Sequence, residues 1–163
     1  MKRLILPAIL AILTILGAFP LAFASHSQSF NGSFSGSFTI TSTTPTTEAT
    51  ITGTGHYEHL GTTTVLGKAT MTGTSECGGF TATEQETFTA ANGDQIFASA
   101  IDIACPTSNP NIIHVTASST ITGGTGRFAH ASGSFTTQVT AVAASPTSTM
   151  GTLSGTSTGT ITY

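Results

Sequence analysis

The sequence predicts an all-β domain: an eight-stranded antiparallel β-barrel preceded by an export signal. Three observations carry this. The 163 residues include 35 Thr, 18 Gly and 10 Phe but no Trp, a mixture of β-branched, aromatic and turn-forming residues that suits strands and turns rather than helices. Apolar or small residues alternate with Ser and Thr over long stretches, the period of a half-buried strand. Pro45, Pro106, Pro110 and Pro146 all fall between those stretches, where proline removes no ladder hydrogen bond. Eight strands without a convincing helix leave a sandwich or a barrel. Glycines repeated inside the strands favour the barrel, because they relieve crowding where strands coil and bend.

The N-terminus reads as a signal peptide over residues 1–24. Lys2 and Arg3 precede an apolar run from Leu4 to Phe19, broken by Pro20. Ala22-Phe23-Ala24 then fits a small-x-small cleavage site. The apolar run is short for a membrane span, which needs roughly 20 residues. Cleavage after Ala24 leaves residues 25–163 as a single domain that does not span the membrane and is secreted, periplasmic or extracellular. Its basic residues are then Lys68 and Arg127, against seven acidic ones. Nucleic-acid binding is excluded, since phosphate contacts need a basic face.

The strands follow in order. After a short tail over 25–28, residues 29–41 place Phe30, Gly32, Phe34, Gly36, Phe38 and Ile40 on one face, with Ser, Asn and Thr on the other. Residues 48–57 put Ala49, Ile51, Gly53, Gly55 and Tyr57 together, and residues 62–74 align Val65, Gly67, Ala69 and Met71. Residues 80–90 and 95–104 flank Asn92-Gly93, a strong hairpin signal. The last three strands are expected over 111–122, 132–143 and 150–163. A lipid-facing barrel is a poor fit, because the last strand offers Gly151, Leu153, Gly155, Ser157 and Gly159 where a membrane band needs large apolar residues.

The hairpin leaves one ambiguity. A two-residue turn pairs Phe88 with Phe97; a three-residue loop with a bulge pairs it with Ile96. The two registers point residues 95–104 to opposite faces. Either one brings Cys77 and Cys105, the only cysteines, to the hairpin base. Export permits a disulfide there, and its loop of about 28 residues gives roughly 3–4 kcal/mol in the chain-entropy model.

Residues 123–133, Gly-Gly-Thr-Gly-Arg-Phe-Ala-His-Ala-Ser-Gly, form the sharpest motif. Its glycines permit positive φ and close backbone approach, so the segment reads as a corner at the barrel end with Phe128 as a plug. A phosphate cradle would need the Lys-Ser/Thr and following helix of a P-loop, which are missing. This GGTGRFAxAxG segment resembles the signature of the allene oxide cyclase and dirigent barrel families. Ser119-Thr120-Ile121-Thr122 before it, Phe88 to Asp94 and His59-Leu60-Gly61 fit the same resemblance. The likeness is greatest to small exported prokaryotic members. It implies an eight-stranded barrel with a lipophilic cavity, often trimeric, and assigns no catalytic residue.

Few residues carry candidate chemistry. Glu84 and Glu86 share a face with Phe80, Ala82 and Phe88. Pointing inward, they would have raised pKa values and could serve as general acid and base; at a wet barrel end, or guarding an edge, they would be structural. His56, Tyr57 and His59 form, with Glu58, the densest polar cluster, and are candidates for ligand binding at a barrel mouth. A metal site would need convergent ligands from His114 or His130, which no spacing supports; neither metal nor cofactor is expected. Arg127 is a further candidate ligand-binding residue, or a loop stabiliser paired with Asp94 or Asp102. The expected function is binding of a small apolar molecule or an extracellular structural role, without catalysis. The alternative is a cyclase or isomerase acting on a lipophilic substrate, which requires Glu84 or Glu86 to face open space.

Overall fold

A computed structural model describes residues 26–43 and 45–163; the expected signal peptide lies outside them. The strands are β1 (Gln28–Ser29), β2 (Gly32–Thr43), β3 (Thr46–Tyr57), β4 (Gly61–Thr74), β5 (Phe80–Ala90), β6 (Gln95–Pro106), β7 (Ile112–Gly124), β8 (Ser132–Ala143) and β9 (Met150–Thr162). Strands β2 to β9 pair antiparallel in sequence order, and β9 also pairs with β2. The sheet therefore closes as an eight-stranded antiparallel barrel without a free edge.

The expected tail over 25–28 is corrected within the described residues, where Gln28 begins a strand. Gln28 and Ser29 pair with Ile161 and Thr160, in the register that Gly32–Ser157 continues. Strands β1 and β2 thus lie along one line on β9. They are interrupted at Phe30 and Asn31, which still bond Gly159 and Glu58 through the backbone.

Alternation places Ser and Thr on the solvent face and apolar or small residues inside. One end of the interior is filled. Phe30, Tyr57, Phe88 and Phe135 contact one another there with ring centroids 5.0–6.1 Å apart. Such aromatic clusters add to the burial of their large apolar areas. The glycine-rich segment caps this end. Gly126–Phe128 forms a short 3₁₀ turn, and Phe128 is fully buried, packed on Tyr163 with centroids 4.8 Å apart. The expected corner with its plug is present.

At the other end Cys77 and Cys105 are joined by a disulfide, with Cα atoms 5.5 Å apart. Ser75 reinforces the same corner, its Oγ donating to the Ala104 carbonyl and accepting from Gly79 N–H.

The hairpin adopts the three-residue loop. Phe88 pairs with Ile96, Gly93 N–H donates to the Ala90 carbonyl, and Gly93 has φ +88°, the bulge geometry that glycine accepts most easily. This register turns Ile96, Ala98, Ala100, Asp102 and Ala104 inward, all of them buried.

Candidate functional site

Between the aromatic plug and the disulfide end the barrel interior holds a partly open cavity of about 130 Å³. Phe34, Phe38, Ile51, Val65, Val139 and Leu153 form much of its wall. The wall also carries three carboxyl groups: Glu84 and Glu86 from β5 and Asp102 from β6. Glu84 and Glu86 are two residues apart and so face the same way. Asp102 lies opposite Ala82 on the neighbouring strand, diagonal to Glu84 and within reach of it.

Burial dominates the electrostatics. Glu86 is 8% and Asp102 4% exposed. Removal from water disfavours the charged form and raises all three pKa values. For Glu86 the result is about 7, with the nearby Ser119 hydroxyl working in the opposite direction and the charge of Asp102 adding to the rise. Glu84 is pushed further, first by burial, then by the charges of Glu86 and Asp102. A hydrogen bond links it to Asp102, and burial keeps the pKa values of both carboxyls above their ordinary range. One carboxyl of the pair is therefore protonated while the other is charged. Neighbouring carboxyls separate in this way because they cannot all ionise in one buried space.

Two oxygens of the cluster, Glu86 Oε2 and Asp102 Oδ1, are buried without a hydrogen-bond partner, as is Ser119 Oγ beside them. Towards the plug the polar groups are better matched. Thr137 Oγ1 and Ser157 Oγ lie 2.9 Å apart, and Tyr57 OH lies 3.5 Å from Ser157 Oγ. Tyr57 has its pKa raised to about 12, chiefly by burial, with the Ser157 contact opposing and the charge of Glu86 adding.

The other candidates do not join this site. Tyr57 is part of the aromatic plug. His56 is exposed on the outer face. His59 occupies the β3–β4 turn with φ +67°, its Nε2 2.9 Å from the Ser29 carbonyl oxygen and its ring against Tyr163. Glu58 accepts from Asn31 N–H and Nδ2, and hydrogen bonds from Ser29 and Asn31 hold its carboxyl below the usual range. Arg127 lies at the closed end. It pairs with Asp94 at 3.7 Å, donates to the His59 carbonyl and stacks over Phe128. Of its two expected partners it takes Asp94, while Asp102 belongs to the cavity. Among the described residues no group of three or more His, Cys, Asp or Glu is arranged to hold a metal ion.

Asp102 is the site residue that sequence reasoning missed as such. Its inward face depends on the three-residue turn, and the alternative register would have turned it to solvent.

No protein-family model matches the sequence, and no curated protein matches it. Among solved structures the chain resembles the pterocarpan synthase dirigent protein GePTS1, with 14% identity, a TM-score of 0.52, and coverage of 85% of this chain and 86% of that one. The fold of this chain is therefore that of a dirigent-type eight-stranded barrel.

Proposed function

We propose that the protein is an exported small-molecule-binding barrel, holding a compact lipophilic ligand in its cavity with the ligand's polar end towards Glu84, Glu86 and Asp102. The observation that carries this reading is the pairing of an apolar, unfilled chamber with unpartnered carboxyl oxygens in its wall. Ligand sites are typically concave and apolar with a few converging polar groups. A core built only for stability would fill such a space and satisfy such atoms. The disulfide supports the export half of the proposal, since such bonds persist in oxidising compartments.

Native mass spectrometry of the chain purified from its own host without denaturant tests the reading. The expected result is a mass carrying a small organic adduct that is released on unfolding, on a chain beginning at Ser25 and lacking two hydrogens. A bare chain that also takes up no small hydrophobic molecule when exposed to a panel of them would contradict it.

One observation favours a second reading, an isomerase-type enzyme. Glu84 and Asp102 lie side by side on the cavity wall, both with raised pKa values, so one can carry a proton while the other is charged. Such a pair can protonate one ligand atom while removing a proton from another, a redox-neutral shift of a double bond or ring closure. If this occurs, the retained ligand incubated with the protein in heavy water gains deuterium at carbon, and the Asp102→Asn variant abolishes the gain. Binding without carbon-bound deuterium returns the protein to the first reading.

A further inference from the structure

The cavity carries an uncompensated negative field, and this narrows the chemistry of its occupant. Among the described residues all the ionisable groups that face the interior are acidic: Glu84 and Glu86 on β5, Asp102 on β6, and the Tyr57 phenol on β3. The inward faces of β2, β4, β7, β8 and β9 carry only apolar residues, Gly, Ser and Thr. The two described Lys and Arg residues lie elsewhere. Lys68 is exposed, and Arg127 sits at the closed end, bound to Asp94 and the His59 carbonyl. Among the described residues no cation therefore neutralises the cluster.

Asp102 Oδ1 is an acceptor with no donor and Glu86 Oε2 has only the Ser119 hydroxyl beside it, both on residues more than nine-tenths buried in the wall of the chamber. Leaving such an acceptor unmet in a buried position is costly, and a donor brought by a ligand removes that cost. An anionic ligand is repelled. A hydroxyl supplies one donor and no charge. An ammonium supplies three donors and a full positive charge. The apolar wall requires the rest of the ligand to be hydrocarbon. A volume of about 130 Å³ is close to that of an engineered apolar cavity of about 150 Å³ that holds benzene.

We propose that the cavity binds a compact hydrophobic primary amine, its ammonium seated on Glu84, Glu86 and Asp102 and its single ring or short branched chain against Phe38, Val139 and Leu153. This rests on the reading of the cavity as a ligand site and names the class of ligand.

Three probes of one shape separate the proposal from that reading: benzylamine, benzyl alcohol and toluene. Each is titrated into the disulfide-intact chain while the methyl NMR signals of Val115, Val139 and Leu153, which line the cavity, are followed. At about pH 7.5 benzylamine should bind at least tenfold more tightly than benzyl alcohol, a charge-assisted bond being roughly twice as strong as a neutral one. Its affinity should fall as the pH is lowered to about 5, because the carboxyls gain protons while the amine stays charged. The Glu86→Gln and Asp102→Asn variants should bring benzylamine down towards benzyl alcohol and leave toluene unchanged. The pH series on the unaltered chain carries the test without them should either variant fail to fold. Benzylamine binding no more tightly than the alcohol, or an affinity flat with pH, overturns the amine while binding of toluene or the alcohol upholds the ligand site. No cavity methyl shifting with any of the three overturns both.

Discussion

Gly67 and Glu84 form a fitted pair across neighbouring strands: the Glu84 carboxyl lies in the space that a Cβ on Gly67 would occupy. Gly67 is buried on β4, opposite Glu86, and Ala69 is opposite Glu84. The glycine is therefore not only a bend in a coiled strand. Its missing side chain is the recess that receives the Glu84 carboxyl, with Ile51 closing the other side.

Gly67→Ala should displace the Glu84 carboxyl and destabilise the fold by roughly 1–2 kcal/mol, in the range for overfilling a packed interior. In a Glu84→Ala background the same substitution should cost much less, because the conflicting group is gone. Urea unfolding of the four chains of this double-mutant cycle reads the coupling directly. Equal costs in both backgrounds would separate the two residues.

The raised carboxyl pKa values give an unusual dependence of stability on pH. Glu86 moves from 4.5 to about 7 on folding, so the folded state binds the proton more tightly. Its stabilising contribution is full below the unfolded pKa and is lost as pH rises through about 7. Glu84 and Asp102 are shifted in the same direction and act with the same sign. Glu86 alone accounts for a decline on the order of 3 kcal/mol across that window. The protein should unfold at a higher urea concentration at about pH 5 than at about pH 8, and Glu86→Gln should flatten the difference. A stability that stays level over the same interval would show that these carboxyls are solvated.

Reducing the Cys77–Cys105 bond should lower stability by about 3–4 kcal/mol, the loop-closure value for the 28-residue separation. The Ser75 hydrogen bonds to Ala104 and Gly79 survive reduction and hold the same corner. The reduced barrel should therefore remain folded in dilute buffer, with native circular dichroism and a lower urea midpoint. Because the bond lies at the end of the barrel remote from the plug, the Phe30, Tyr57 and Phe88 ring signals should be little changed.

Arg127→Ala should change stability by under about 1 kcal/mol, since its side chain is 48% exposed and exposed ion pairs contribute little. Phe128→Ala, which removes a fully buried ring from the same turn, should cost about 3–5 kcal/mol. Thermal or urea unfolding of the two variants ranks them. The reverse order would mean that the glycine-rich segment is held by charge rather than by its plug.

Much of this was legible in the chain. The alternation around Phe34, Phe38 and Ile51 fixes which residues line the barrel, because a period of two leaves one choice once a face is apolar. Phe128 could be named as a plug because the glycines beside it allow the chain to turn onto the barrel end. Glu84 and Glu86 were visible on an apolar face, although the sequence left open whether that face met water. Asp102 was not legible as a site residue. Its side depends on one residue in the Asn92-Gly93 turn, and both registers suit that dipeptide. The Gly67 recess was hidden for a different reason: it is a relation between two strands, and Gly67 looks no different from Gly53 or Gly73 until β4 and β5 are paired. The inward Ser119, Thr137 and Ser157 were equally hidden, since Ser and Thr also cover the exterior.

The most direct test of an open apolar chamber above three carboxyls is a crystal of the disulfide-intact chain soaked with bromobenzene. The expected result is an anomalous bromine peak inside the barrel, between Phe38, Val139 and Leu153, with Glu84 and Asp102 within hydrogen-bonding distance of each other beneath it. A barrel whose Phe34 and Phe38 rings fill the space, with Glu84 and Asp102 turned to solvent and no bromine within, would contradict it.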